Sequence, residues 1–407
     1  MKVVFEDPQF SFQLLRILGA AEVGQADVGE CLSTAHRIKE GEYESWCGEW
    51  SKTARRVHAI ADGCAAAGHA MSAADTYFRA SNYYRAAEFY LHGDPSDPRI
   101  IELSRGGRDC FAKALRLGGT RFETLEIPYE GTLLPGIFYP AGASDRPAGT
   151  LILHTGFDGT LEELMPWGIA AVRRGLHCLT FEGPGQGRVI REQRLPFRPD
   201  WEQVVRPVVD CAVARPDVDR ARIALMGLSF GGYLAPRAAA FETRLACCIA
   251  NGGVFDFLGS QLPPGTNRRE YRQLLAADPA SANRMLGDIA KANSDVRWAV
   301  ANGMYTFGAS SPAEWLLKAM DYDLSDVAGS IRCPTLVIDT ENETAFRGQA
   351  RKLYDALACP KTWMLFTAED GAEDHCQVGS PALSQQRILD WLEETLAAPT
   401  KTGDIQN

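Results

Sequence analysis

The 407-residue chain has no Cys-x-x-Cys pair, and its eleven cysteines follow no regular spacing. An odd set of unpatterned thiols excludes a disulfide framework and points to a reducing, cytosolic setting. No stretch approaches the roughly 18 consecutive apolar residues of a membrane span. Glu6, Asp7 and Pro8 interrupt the N-terminal stretch and Arg16 breaks its one apolar run, so no secretory leader is expected. Basic stripes are missing too: a net charge of −10 argues against nucleic acid or an anionic membrane as partner. No His, Cys and Asp cluster has metal-ligand spacing. The glycine-rich segment Phe181-Glu182-Gly183-Pro184-Gly185-Gln186-Gly187 lacks the Lys-Ser/Thr of a phosphate loop, and reads as a strand-exit loop near the pocket. No metal or other cofactor is therefore expected. What remains is ordinary for a globular protein, 45% apolar and 23% charged, in a chain long enough for about two domains.

Against that background one stretch stands out, Ile223-Ala224-Leu225-Met226-Gly227-Leu228-Ser229-Phe230-Gly231-Gly232. A short apolar strand enters a Gly-x-Ser-x-Gly turn, and a helix-forming run, 233–241, leaves it. That order is a nucleophile elbow, which lifts a serine hydroxyl above the end of a sheet. Small neighbours are needed because the serine is held in a strained backbone conformation.

Residues 1–119 are helical in pattern, with apolar positions at helical spacing through 10–18, 28–38, 46–61 and 77–90. A further helix, 97–117, ends at Gly118-Gly119. From Arg121 the pattern changes to a hairpin, 123–129 and 133–139, turning at Glu130-Gly131. Strands at 150–154, 177–181, 245–250, 335–339 and 362–367 then alternate with helices near 161–174, 201–213, 346–357 and 383–396. Near-continuous apolar strands separated by helices mean a mostly parallel sheet covered on both faces. The expected division is a helical N-terminal domain, 1–119, a catalytic α/β domain, 120–398, and a disordered tail, 399–407. Within the second, about 254–330 lack strand character and hold Pro263-Pro264-Gly265, helix-like runs at 268–275 and 280–291, and the aromatics Trp298, Tyr305, Phe307 and Trp315. This insertion is placed as a helical lid over the serine.

A serine hydroxyl needs a general base, and the base an orienting acid. In an elbow-bearing sheet they follow in the order Ser, acid, His. Of seven histidines only His375 follows the last strand, in a glycine-containing acidic loop expected at the surface. The acid belongs just after strand 335–339, where Asp339, Glu341 and Glu343 stand; Glu343 is preferred and Asp339 is the alternative. Two backbone N–H groups should hold the oxyanion, from Phe230 and from the turn His154-Thr155-Gly156-Phe157-Asp158-Gly159, at Phe157. Asp158 is an unusual neighbour for an oxyanion. Burial would raise its pKa and suit it to donate a proton; alternatively it caps the helix starting near Thr160.

With "HTGFDGTLEEL", "FEGPGQG", "GLSFGGYLAPRAAAFETRLA" and "GAEDHCQVGS" in place, residues 121–407 resemble the α/β-hydrolase superfamily, and with the helical N-terminal region the likeness to one branch covers nearly the whole chain. The chain is similar to the branch of dihydroxypseudooxynicotine hydrolase and the fungal pigment enzymes that shorten polyketides by retro-Claisen cleavage. The resemblance implies Ser229 as nucleophile, His375 as base and Asp158 as the branch's extra carboxylate, and a frequent dimer. The acid, usually aspartate in that branch, falls on Glu343 within "DTENETAF". The expected function is a serine hydrolase that cleaves a C–C bond beside a ketone in a β-diketone or polyketide-like small molecule. An esterase, thioesterase or chain-releasing cyclase with the same residues is the alternative, and a non-catalytic receptor on the same fold a third. A propeller-bearing exopeptidase is disfavoured, because about 120 helical residues cannot build a β-propeller.

Overall fold

The structure, a computed structural model, describes residues 1–142, 146–262 and 265–398; residues 143–145, Pro263, Pro264 and the segment 399–407, expected as a tail, lie outside the described residues. The chain begins with α1 (Pro8–Gly19), which starts where the Asp7 carboxylate accepts from the Gln9 and Phe10 N–H groups at 3.0 Å, with Pro8 in the first turn. There follow α2 (Val28–Ala35), α3 (Tyr43–Ala66), α4 (Ala70–Glu88) and α5 (Pro98–Leu117). The last three pack side by side, and α4, in the middle, is buried on most of its circumference.

The sheet follows: β1 (Glu123–Tyr129), β2 (Thr132–Tyr139), β3 (Ala148–His154), α6 (Met165–Arg173), β4 (His177–Phe181), α7 (Glu202–Val213), β5 (Val218–Leu228), α8 (Gly231–Ala239) and β6 (Cys247–Asn251). Four helices intervene, α9 (Arg268–Ala277), α10 (Pro279–Ala292), α11 (Ser294–Thr306) and α12 (Pro312–Ala319). Then come β7 (Thr335–Thr340), α13 (Gln349–Ala356), β8 (Lys361–Phe366) and α14 (Pro381–Ala397). The eight strands lie in the order β1-β2-β4-β3-β5-β6-β7-β8. Only β2 runs against its neighbours; the rest are parallel. This is the expected covered, mostly parallel sheet.

Alternation along the strands divides the apolar residues between two cores. Leu151, Leu153, Met226 and Ile249 join α6, α14 and the N-terminal helices on one face. Ile152, Leu225, Cys248 and Val337 join α7, α8, α13 and the helices between β6 and β7 on the other. Every residue of β4 and β6 is buried, Cys247 and Cys248 included, as their apolar character requires.

Two differences from expectation have local causes. The single helix near 161–174 is a 3₁₀ turn (Leu161–Leu164) followed by α6, because Pro166 fits only the first turn of a new helix. Among the described residues the insertion holds α9 to α12 rather than two runs and an irregular remainder. Asn293 accepts from Val296 N–H at 3.0 Å and Ser311 from Glu314 N–H at 3.3 Å, side-chain caps that start α11 and α12. The insertion is stapled to the N-terminal helices by Tyr43 Oη donating to Ser294 O at 3.0 Å. Arg297, 4.0 Å above the Tyr43 ring, adds a bond to Gly41 O at 2.9 Å. Among the described residues no helix is long and apolar enough to cross a membrane.

Candidate active site

Ser229 sits at the end of β5 with φ at 62°, in the left-handed region that few non-glycine residues occupy. Its flanking glycines answer to crowding. A Cβ on Gly227 would lie 2.0 Å from Gly231 O, and one on Gly231 2.8 Å from Thr155 O. The Ser229 N–H donates to Asn251 O at 2.8 Å, which ties the turn to the end of β6.

Ser229 Oγ lies 2.8 Å from His375 Nε2, and His375 Nδ1 lies 2.5 Å from Glu343 Oε2. Glu343 Oε1 accepts from the Ala345 and Phe346 N–H groups at 2.9 and 3.0 Å. A carboxylate only accepts, so the imidazole donates through Nδ1 and leaves Nε2 to receive the serine proton. Burial pushes the Glu343 carboxyl up, but His375 and the two backbone donors outweigh it and hold it below its ordinary value. For His375 burial acts downward, and Cys376 and Glu343 together raise it well above 6.5. Asp339 stays at the end of β7, half-buried, its Oδ1 turned to the Thr340 N–H at 2.9 Å; Glu341 accepts from Ala368 N–H at 2.7 Å. Of the three acid candidates, Glu343 reaches the histidine.

The His375 loop differs from the sequence expectation in one respect. Glu369 and Asp370 of the loop are exposed as expected, but the imidazole side chain is only 14% exposed, beneath Phe12 of α1 and Phe346. Long-range packing, invisible in the loop's acidic composition, covers it. Sequence reasoning also missed what holds the loop. Asn251 and Gln377 exchange two amide hydrogen bonds, at 2.9 and 3.0 Å, clamping the turn after His375 onto β6. Left-handed Cys376 and Gln377 make the turn, and Cys376 Sγ lies 3.5 Å from His375 Nε2.

The loop after β3 approaches the elbow closely. A Cβ on Gly156 would lie 2.5 Å from Phe230 N, so only glycine lets the two backbones meet. Neither the Phe157 nor the Phe230 N–H has a hydrogen-bond partner among the described residues. Asp158 lines the same cavity, and its Oδ2 accepts from Arg16 Nη1 at 3.1 Å. Arg16 also forks onto Glu163, Nε to Oε1 at 2.8 Å and Nη2 to Oε2 at 2.9 Å. Asp158 does not cap the following helix: Thr160 holds that position, and its N–H is taken by Glu163 at 3.1 Å. The partner Arg16 lies 142 residues away in sequence, and nothing local announces it.

The 181–187 loop supports the site from behind rather than lining it. Glu182 accepts from the Leu161 and Arg188 N–H groups, both at 2.7 Å. Burial and Glu162 push its carboxyl up to about 7. Gln186 Nε2 donates to Thr155 O at 2.7 Å.

Ser229 and His375 open into a cavity of about 870 Å³ walled by α1, the β3 loop and the helices between β6 and β7. Of the insertion's aromatics, Phe257, Tyr271, Trp298 and Trp315 line it. Trp298 stacks on Phe89 at 5.3 Å and meets Phe157 edge-on at 5.6 Å. Phe307 packs on Phe230 and Tyr305 on His92, so these two serve packing rather than the cavity wall.

Comparison with known proteins agrees with the fold. Residues 133–376 match the alpha/beta hydrolase family, and this chain belongs to it. It is 35% identical to Hydrolase LUC6 of a Fusarium species, over 97% of this chain and 98% of that one. The 20-hydroxy-prefusarin hydrolase FUS2 of Gibberella moniliformis is 33% identical, over 98% and 99%. Among solved structures, 2,6-dihydroxy-pseudo-oxynicotine hydrolase superposes with a TM-score of 0.73 at 21% identity, covering 93% of this chain and 96% of its own. The protein is a hydrolytic enzyme of this family.

Proposed function

We propose that the protein is a serine hydrolase that cleaves a C–C bond beside a ketone in a β-diketone or polyketide-like substrate, through an acyl-enzyme. The observation that carries the reading is the unbroken Ser229–His375–Glu343 hydrogen-bonded chain opening into a large cavity. Ser229 Oγ attacks the ketone carbon as His375 Nε2 takes its proton, with Glu343 holding the imidazolium. The alkoxide is received by the Phe230 and Phe157 N–H groups. Collapse of the adduct breaks the C–C bond, and the departing enolate takes the proton from His375. Water, deprotonated by His375, then frees the acyl group and restores the serine. Residues 1–119 act as a helical domain that closes the cavity. The names of relatives such as the 20-hydroxy-prefusarin hydrolase support a small-molecule substrate of secondary metabolism.

One observation favours a second reading, an esterase, thioesterase or chain-releasing cyclase. Asp158 is engaged by Arg16 at 3.1 Å, whereas His375 stands in hydrogen-bond reach of Ser229 and so is the proton source for the leaving group. An alkoxide or thiolate needs less help in leaving than a carbanion. Under either reading the Asp158–Arg16 pair orients substrate oxygens. Purified protein assayed on p-nitrophenyl esters and on an acyl-phloroglucinol decides between them. Cleavage of the diketone is expected, and ester turnover without it selects the second reading.

A further inference from the structure

Behind the β3 loop runs a buried polar chain that the reaction above does not use. Asn302 of α11, fully buried, donates from Nδ2 to Phe157 O at 3.0 Å. Its Oδ1 faces His92 Nδ1 at 2.7 Å, and His92 Nε2 faces Glu88 Oε1, also at 2.7 Å. Glu88 of α4 is gripped by Arg191, Nε to Oε1 at 2.8 Å and Nη2 to Oε2 at 2.7 Å. Arg191 Nη1 is anchored on Gly187 O at 2.9 Å. Glu88, His92 and Arg191 are 3%, 4% and 8% exposed. Burial works against the Glu88 carboxylate, yet Arg191 and His92 hold it far below its ordinary value.

We infer that Asn302, braced by His92 and the Glu88–Arg191 pair, is a positioning residue for the oxyanion hole. The inference rests on the hydrolase reading above, because it gives Phe157 a role in catalysis. The carbonyl that Asn302 holds and the N–H offered to the alkoxide flank one Cα, that of Phe157. Fixing the carbonyl fixes the Phe157 ψ angle and thereby the seating of the loop that carries the donor. A preorganised donor acts only if it does not reorient during reaction, and a buried chain with its partners in place resists reorientation. The chain draws on α4, on the turn bearing His92, on α11 and on the segment after β4. The N-terminal helices and the insertion thus both help set the oxyanion geometry as well as covering the cavity.

The test uses the full chain and a fluorophosphonate probe, whose tetrahedral adduct places a P–O oxygen where the alkoxide would lie. Wild type is expected to label, and Ser229→Ala not to. Asn302→Asp keeps the shape and the face toward His92 but loses the donor to Phe157. It should label about 10- to 100-fold more slowly, less than the roughly 10²–10³ that outright loss of an oxyanion donor brings, with probe affinity before bond formation nearly unchanged. Should the buried carboxylate prevent folding, Asn302→Leu takes its place. Thr306→Val, which removes a hydroxyl bonded at 2.8 Å to Asn302 O, loosens the same helix without touching the loop, and should label at the wild-type rate. If a folded Asn302 variant labels as fast as wild type, or Thr306→Val slows labelling equally, the positioning role is overturned while the hydrolase reading stands. If wild type itself fails to label, the hydrolase reading falls first.

Discussion

The floor and the roof of the cavity are built on different terms. The floor, comprising the elbow, the His375 loop and the acid loop, sits on the ends of adjacent strands. Its geometry comes from close approaches at the ends of neighbouring strands: a left-handed Ser229, crowded Gly227, Gly231 and Gly156, and an Asn251–Gln377 clamp. The roof, the N-terminal helices with the helices between β6 and β7, is joined by contacts between residues hundreds apart, Tyr43 to Ser294 and Gly41 to Arg297. A strand end presents a side chain to within tenths of an ångström because its ladder is shared with neighbours. A roof of packed helices can change its side chains while leaving the reaction in place. Under the proposed function, the comparison makes reactivity and selectivity separable, a separation the following variants test.

The sharpest way to break that separation is Ser229→Ala. Turnover should fall by about 10⁶ with an unchanged thermal midpoint, since the hydroxyl bonds only the base; residual turnover within tenfold of wild type would place the nucleophile elsewhere. Glu343→Gln should cost about 10⁴ by spoiling the imidazole tautomer. Asp339→Asn should leave the rate near wild type, and the reverse pattern in kcat would exchange the two carboxylates. Gly156→Ala drives a methyl to 2.5 Å from the Phe230 nitrogen and should lower kcat by about 10²–10³ while KM moves little. In the roof, Arg16→Met strands Asp158 and leaves Glu163 with Arg85 alone, at 3.4 Å. A loss of about 3 kcal/mol in denaturant unfolding is expected, with KM and substrate range changing more than kcat; a selective collapse of kcat would bring Arg16 down into the floor.

The smallest expected effect is on pH. His375 titrates above its ordinary 6.5, so it contributes stability below pH 6.5 that is lost as pH rises through the folded value. The reaction needs the unprotonated base, so kcat/KM climbs over that same interval. Glu343→Gln removes one of the groups that raise the imidazole and should shift the residual activity's acid limb to lower pH. An unshifted limb would assign it to another group.

Much of the floor was legible because its signals are local. Gly-x-Ser-x-Gly between a strand and a helix has few other uses, and a single late histidine left one candidate base. Glu343 was harder: three carboxylates stand at alternate positions from 339 to 343, and only the path of the chain after β7 turns one of them to the imidazole. The roof was legible as helices but not as contacts. Phe12, Arg16 and Asn302 look like ordinary helix residues, and no spacing rule links α1 or α11 to the β3 loop. Nor could the sequence tell Trp298, which faces the cavity, from Phe307, which packs beneath the elbow.

By itself, then, the order of residues determined the alternating strands, the turn that raises Ser229 and the imidazole to serve it, because each depends on steric and periodic rules acting over a few positions. Tertiary structure alone decided which carboxylate meets His375, that Arg16 neutralises Asp158, and that a histidine and an asparagine from two separate helical regions converge behind Phe157. Those choices depend on where distant segments come to rest, and that follows from burying two cores at once on the two faces of one sheet.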